Sequence, residues 1–133
     1  MEFDIVDELK SRIVDPYLKS IDCEEGWYGL LSDLHQKLVV IDPHYTLFQV
    51  KEKFGTLRFY YEASDPSLDK SCQAIVDMYE RMSASVCEKT GESGFLMVRH
   101  GQYKTLNETF LDKGWQEASQ YFNSLQAFRA NNE

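Results

Sequence analysis

Three histidines (His35, His44, His100) and three cysteines (Cys23, Cys72, Cys87) carry the groups able to bind zinc or attack an electrophile at neutral pH. Their spacing favours neither use. There is no CxxC pair, and no histidine has a Cys, Ser or acid at a distance that encodes a nucleophile and its base. Cys87 opens "CEKTGESGFLMVRHGQYKTLNETF", residues 87–110, which reads like a zinc ribbon missing most of its ligands. His35 with Asp33 or Asp42 is the one general base that can be imagined, although the histidine is expected on the polar flank of a helix. His44 follows Pro43 in a turn, and His100 precedes Gly101 at a hairpin tip. "GESG" lacks the lysine and following helix of a phosphate loop, and "DELKSRIVD" lacks the ligand spacing of a calcium loop. Glu24-Glu25 at a helix start complements the helix dipole. No catalytic group and no cofactor are expected.

What remains is recognition by charge. The chain has 133 residues and a net charge of −8. Residues 1–46 hold ten acids and four bases, whereas residues 47–62 hold three bases and two acids. An acidic chain is repelled by bare phosphate backbones, so nonspecific nucleic-acid binding is disfavoured. Asp22, Glu24 and Glu25 beside Trp27 form an acidic cluster suited to steering a basic partner. No apolar run approaches the ~20 residues that span a bilayer, and "MEFDIVDELK" is unlike a signal peptide. An odd set of widely spaced thiols suits a reducing cytoplasm.

The elements that position these groups read as α+β, in one domain over 1–133. Helices are expected near 3–20, 26–41, 67–88 and 111–129, packed mainly on one face of a small antiparallel sheet. Trp27, Leu30, Leu31, Leu34, Leu38 and Ile41 make a broad stripe that Asp42-Pro43 stops. Asp65-Pro66 opens a helix with a seam of Leu68, Cys72, Ile75, Tyr79, Met82 and Val86. The last helix carries Leu111, Trp115, Ala118, Phe122 and Leu125, with Tyr121 and Phe128 off that seam. Between these lie two hairpins. In "LFQVKEKFGTLRFYYE" a turn at Phe54-Gly55 sets Lys53 against Thr56, Lys51 against Arg58, Val50 against Phe59, and Phe48 against Tyr61. Phe48, Val50, Leu57, Phe59 and Tyr61 then face the core. Gln49, Lys51, Lys53, Thr56, Arg58 and Tyr60 form a basic, partly aromatic outer face. Lys51 opposite Arg58 costs up to about 1 kcal/mol unless acids cover the pair. The first helix, with Asp4, Asp7 and Glu8, or a partner's acidic group could do so. The second hairpin, near 94–106, either extends this sheet or makes a separate ribbon.

Gly26-Trp27 followed by "QVKEKFGTLRFY", residues 49–60, resembles a family of small, largely uncharacterised bacterial and phage proteins. These share a "QVKEKFGxLRFY" core preceded by a Gly-Trp helix, and the resemblance covers roughly 26–110. Many relatives end in a zinc-binding tail of the form CxxCG…G…TLCxxH. Laid on this chain, it places Cys87 at the first ligand position, Thr90 at the second, Asn107 at the third and Phe110 at the fourth. One thiolate cannot hold the ion. The resemblance therefore implies a degenerate zinc-ribbon hairpin over 87–110, held by packing of Phe95, Met97, Tyr103 and Leu106, and it implies no reaction.

The leading expectation is a non-catalytic, cytoplasmic, acidic inhibitor of another protein, such as a toxin-immunity protein or a phage counter-defence protein. Its partner would be a basic toxin or defence protein, engaged through Lys51, Lys53, Arg58 and Tyr60 or through Asp22, Glu24 and Glu25. The alternative is a nucleic-acid module descended from a zinc protein, with Lys51, Lys53, Arg58, Arg99 and Lys104 on phosphates. The third is an enzyme of unrecognised type, which would need a pocket joining His35 or His44 to a buried acid.

Overall fold

The computed structural model describes residues 3–132 and is α+β. Asp4 caps α1 (Ile5–Arg12) by accepting from the amides of Val6 and Asp7. The helix stops well short of residue 20 because Ile13 turns extended and bridges to Leu47. Asp15-Pro16 opens only a single 3-10 turn. A two-residue strand, β1 (Ile21–Asp22), leads to α2 (Tyr28–Ile41), whose stripe is buried from Trp27 to Leu38 as its spacing predicts.

The first hairpin comprises β2 (Thr46–Lys53) and β3 (Thr56–Glu62). Phe54 and Gly55 both have positive φ, 52° and 81°, the conformation a two-residue hairpin turn requires. Lys53 faces Thr56, Lys51 faces Arg58 and Val50 faces Phe59, as the turn dictates. The register then slips: Gln49 pairs with Tyr60 but Leu47 with Tyr61. Phe48 is the extra residue of this bulge and lies 41% exposed, while Leu47 takes the core position at 0%. The expectation that Phe48 points inward is therefore corrected. β1 joins parallel to β2, completing the sheet order β1-β2-β3.

α3 (Asp69–Ser83) packs against α2 and along β3. Its buried line is Cys72, Val76, Tyr79 and Ser83, rotated from the expected seam, so Met82 stays exposed. The rotation lets α3 cap the free edge of β3. Ser83 Oγ accepts from the Leu57 amide at 2.9 Å and Glu80 Oε2 from the Phe59 amide at 2.8 Å. Edge donors that would otherwise be orphaned are satisfied by side chains.

The second hairpin makes a separate sheet, ordered β5-β4-β6, from β4 (Phe95–Arg99), β5 (Gln102–Leu106) and β6 (Gln116–Glu117). Residues 108–113 form a 3-10 segment closed by Gly114, so the seam expected over 111–129 is broken before α4 (Ala118–Asn131) begins. Trp115 and Ala118 are buried, but Leu111 and Phe122 are exposed. α4 lies on the second sheet and not with the other helices.

Two hydrogen-bonded joints hold the two halves of the fold together. The Gly26 amide donates to Glu88 O at 2.7 Å, and the Trp27 indole donates to Val86 O at 2.8 Å. At the other joint the Phe54-Gly55 tip rests on β4 and β5, where Thr105 Oγ1 donates to Gly55 O at 2.6 Å. A Cβ on Gly55 would lie 2.5 Å from Leu96 Cδ1. Among the described residues, no helix is long and apolar enough to cross a membrane.

Candidate functional site

Cys87 is fully buried in a small cluster with Met97, Leu106 and Trp115, against which Phe95 and Phe110 pack. Phe110, at the fourth ligand position of the resemblance, thus fills the space with hydrocarbon. Thr90 Oγ1 accepts from the Glu92 amide, and Asn107 spans the Ser93 carbonyl and the Thr109 amide. These residues do not fit a zinc ion: one thiol faces an apolar cluster, and the other positions are engaged by their own backbone. Among the described residues, no three His, Cys, Asp or Glu side chains converge as metal ligands.

The histidines are placed differently from one another. His35 is buried and not on a polar flank. Its Nδ1 lies 2.7 Å from the Tyr45 hydroxyl and its Nε2 3.6 Å from Glu8 Oε1. Burial, then the Arg12 guanidinium, holds its pKa below the usual histidine value against the pull of Glu8. Neither Asp33 nor Asp42 is its partner. Asp42 is buried elsewhere, where it accepts from Ser64 N, Ser64 Oγ and His44 N. Burial opposes its ionisation, but those hydrogen bonds outweigh it and hold the carboxyl below its ordinary range. Cys23 is driven up to about 12 by burial and then by Glu88 and Asp22, so its thiol stays protonated.

The acidic cluster separates. Glu24, its side chain partly exposed, reaches across and pairs with Lys89 at 3.1 Å and with Lys104, on the second hairpin, at 3.3 Å. Lys104 also meets Glu88, 1% exposed, at 3.0 Å, and Glu88 Oε2 accepts the Glu24 amide. Glu24 and Lys104 therefore belong to the joint between the sheets. Arg99 stacks over Trp115 at 4.5 Å and donates to Lys113 O, away from the first hairpin. Glu25 stays exposed in the turn before α2.

Asp22, by contrast, comes to the hairpin. The parallel register of β1 sets it beside Lys51, which faces Arg58, so acid, base and base form one row across three strands. α1 does not cover this face; it packs on α2, β1 and β2, and spends Glu8 on Arg12 and His35. Lys51 Nζ sits 5.9 Å from the Tyr60 ring, and Lys53 is exposed at the end of the strand. Arg58 has a buried Nε with no hydrogen-bond acceptor among the described residues. Its neighbour Glu80 has already committed Oε2 to the Phe59 amide. A shallow groove of about 290 Å³ runs over Phe48, Arg58, Tyr60 and Tyr61 to Gln73 and Glu80. Sequence reasoning found the charged residues of this face but missed Phe48, because alternation carries no signal for a bulge. It missed Asp22 as a member because a two-residue strand leaves no periodicity. Comparison of the chain with protein-family models, with curated proteins and with solved structures finds no match in any of the three.

Proposed function

We propose that the protein is a non-catalytic binding protein that inhibits a protein partner, docking through the outer face of β1-β2-β3. The observation that carries this reading is Arg58: a guanidinium whose buried Nε–H has no acceptor among the described residues, flanked by Lys51, Tyr60 and the bulged Phe48, on a sheet face that α1 leaves uncovered and α3 borders only at the β3 edge. A buried donor without an acceptor costs about 1–3 kcal/mol, which a partner carboxylate drawing the guanidinium outward would recover. Arg and aromatic side chains on a rigid sheet are the types that dominate binding energy. Asp22 in the same row, with Glu25 exposed in the turn beyond β1, adds a negative rim, so the fitting partner presents an acidic group to Arg58 and basic groups around it. A toxin or defence protein of mixed surface charge meets that description, and an immunity protein or counter-defence factor in the cytoplasm is the matching role.

The test is co-purification with the product of a neighbouring gene or from host lysate, followed by titration of the isolated pair. Arg58→Ala and Tyr60→Ala are each expected to weaken binding at least about tenfold. A complex whose affinity ignores both changes would sink the assignment of this face.

A further inference from the structure

The last helix has a packing face with little beneath it. Of the residues in α4, only Ala118 is buried. At 100° per residue, Ala118, Tyr121, Phe122, Leu125 and Phe128 share a sector of about 120°, the width of an ordinary core-facing stripe. Its first turns are seated: Phe122 stacks on Tyr103 at 6.0 Å, Tyr103 meets Phe54 at 6.0 Å, and Tyr121 meets Phe122 at 5.9 Å. Beyond Leu125 the stripe continues over solvent, with Phe128 66% exposed.

We infer that this overhang is covered by α4 of a second copy, the two helices crossing antiparallel at Leu125. Charge selects this occupant. Residues 118–132 contain no acid and one base, Arg129, in a chain of net charge −8, so two copies can meet here without opposing their acidic surfaces. A basic partner would be drawn to the acidic surfaces instead, and one arginine is too little to hold an anionic membrane. The ends are self-complementary as well. Crossing at Leu125 brings the partner's Arg129 about one turn, ~6 Å along the axis, from Glu117, whose carboxylate accepts from Ser119 Oγ and forms no ion pair among the described residues. A two-fold axis repeats that pairing at the other end.

Sedimentation of the full chain from about 1 to about 200 µM tests this. The expected result is a concentration-dependent rise from 15.5 kDa to twice that mass. Leu125→Asp should weaken the dimer at least about tenfold while circular dichroism stays native. Leu125→Cys should form, under mild oxidation, a disulfide that peptide mapping assigns between the two copies of position 125, because the two-fold axis sets that residue against itself. A chain that stays monomeric throughout, including one that binds vesicles or another protein through α4, overturns the inference. So does a dimer that survives Leu125→Asp and yields no such disulfide.

Discussion

Gly26 shows how much one absent side chain decides. Its amide donates to Glu88 O, and a Cβ there would lie 2.4 Å from the carbonyl oxygens of both Cys87 and Glu88. Backbone cannot yield as a flexible side chain does. Gly26→Ala is therefore expected to cost at least about 2 kcal/mol in denaturant unfolding. Lys104 makes a parallel case by charge. Lys104→Met leaves Glu88 enclosed with its counter-ion gone and should destabilise by about 3–5 kcal/mol in the same assay. His35 adds a pH dependence. The unfolded chain binds its proton near 6.5, while the folded chain withholds it to lower pH. The unfolded state thus holds more protons in that interval, and the stability present above about pH 6.5 declines as pH falls through it. His35→Gln should flatten the decline below about pH 6.5, read from unfolding midpoints. His35 was legible in the sequence as a helical histidine beside Leu34. Its partners, Glu8 and Tyr45, were not, because both lie outside its helix and contacts between elements leave no local spacing.

At the scale of elements, turns and caps were the reliable signals. Phe54-Gly55 set the register of β2 and β3 up to Gln49, and Asp65-Pro66 marked the approach to α3, because each acts through its own backbone. Alternation failed one step further on, where Leu47 and Phe48 compete for a single core position and the bulge resolves it for Leu47. The two residues should respond oppositely. Leu47→Ala is expected to cost about 2–5 kcal/mol of stability. Phe48→Ala should cost under about 1 kcal/mol yet weaken partner binding, as unfolding and titration of the same variants would reveal. In α3, Cys72 and Tyr79 are buried as the seam predicts, but Val76 and Ser83 replace Ile75 and Met82 because Ser83 and Glu80 are needed at the edge of β3. That demand comes from the sheet and is invisible in the helix's own sequence. The final helix was read too long since its apolar spacing continues through the 3-10 segment that ends at Gly114.

For the whole molecule, α+β was readable from the succession of helices and hairpins, but the meeting of the sheets was not. Each joint couples segments at least fifty residues apart: Gly26 with Glu88, and Gly55 with Thr105. Gly26-Trp27 and Phe54-Gly55 are the gripping points, the first held by the Cys87 turn and the second seated on the second hairpin. The candidate face was half legible. Lys51, Lys53, Arg58 and Tyr60 followed from hairpin geometry, whereas Asp22 and Phe48 arrived through long-range pairing and a register slip.

The clasp around Gly26 also limits how a gene for this fold can be cut and recombined. A transcript ending before codon 87 would still encode all of β1-β2-β3 and α3. Its product would lose both carbonyls against which Gly26 is pressed and would uncover Gly55 at the hairpin tip, buried in the whole chain against Leu96 and Thr105. Such a half-protein should be recovered from cells as aggregate or proteolytic debris, so heritable breakpoints belong after the second hairpin and not between the two.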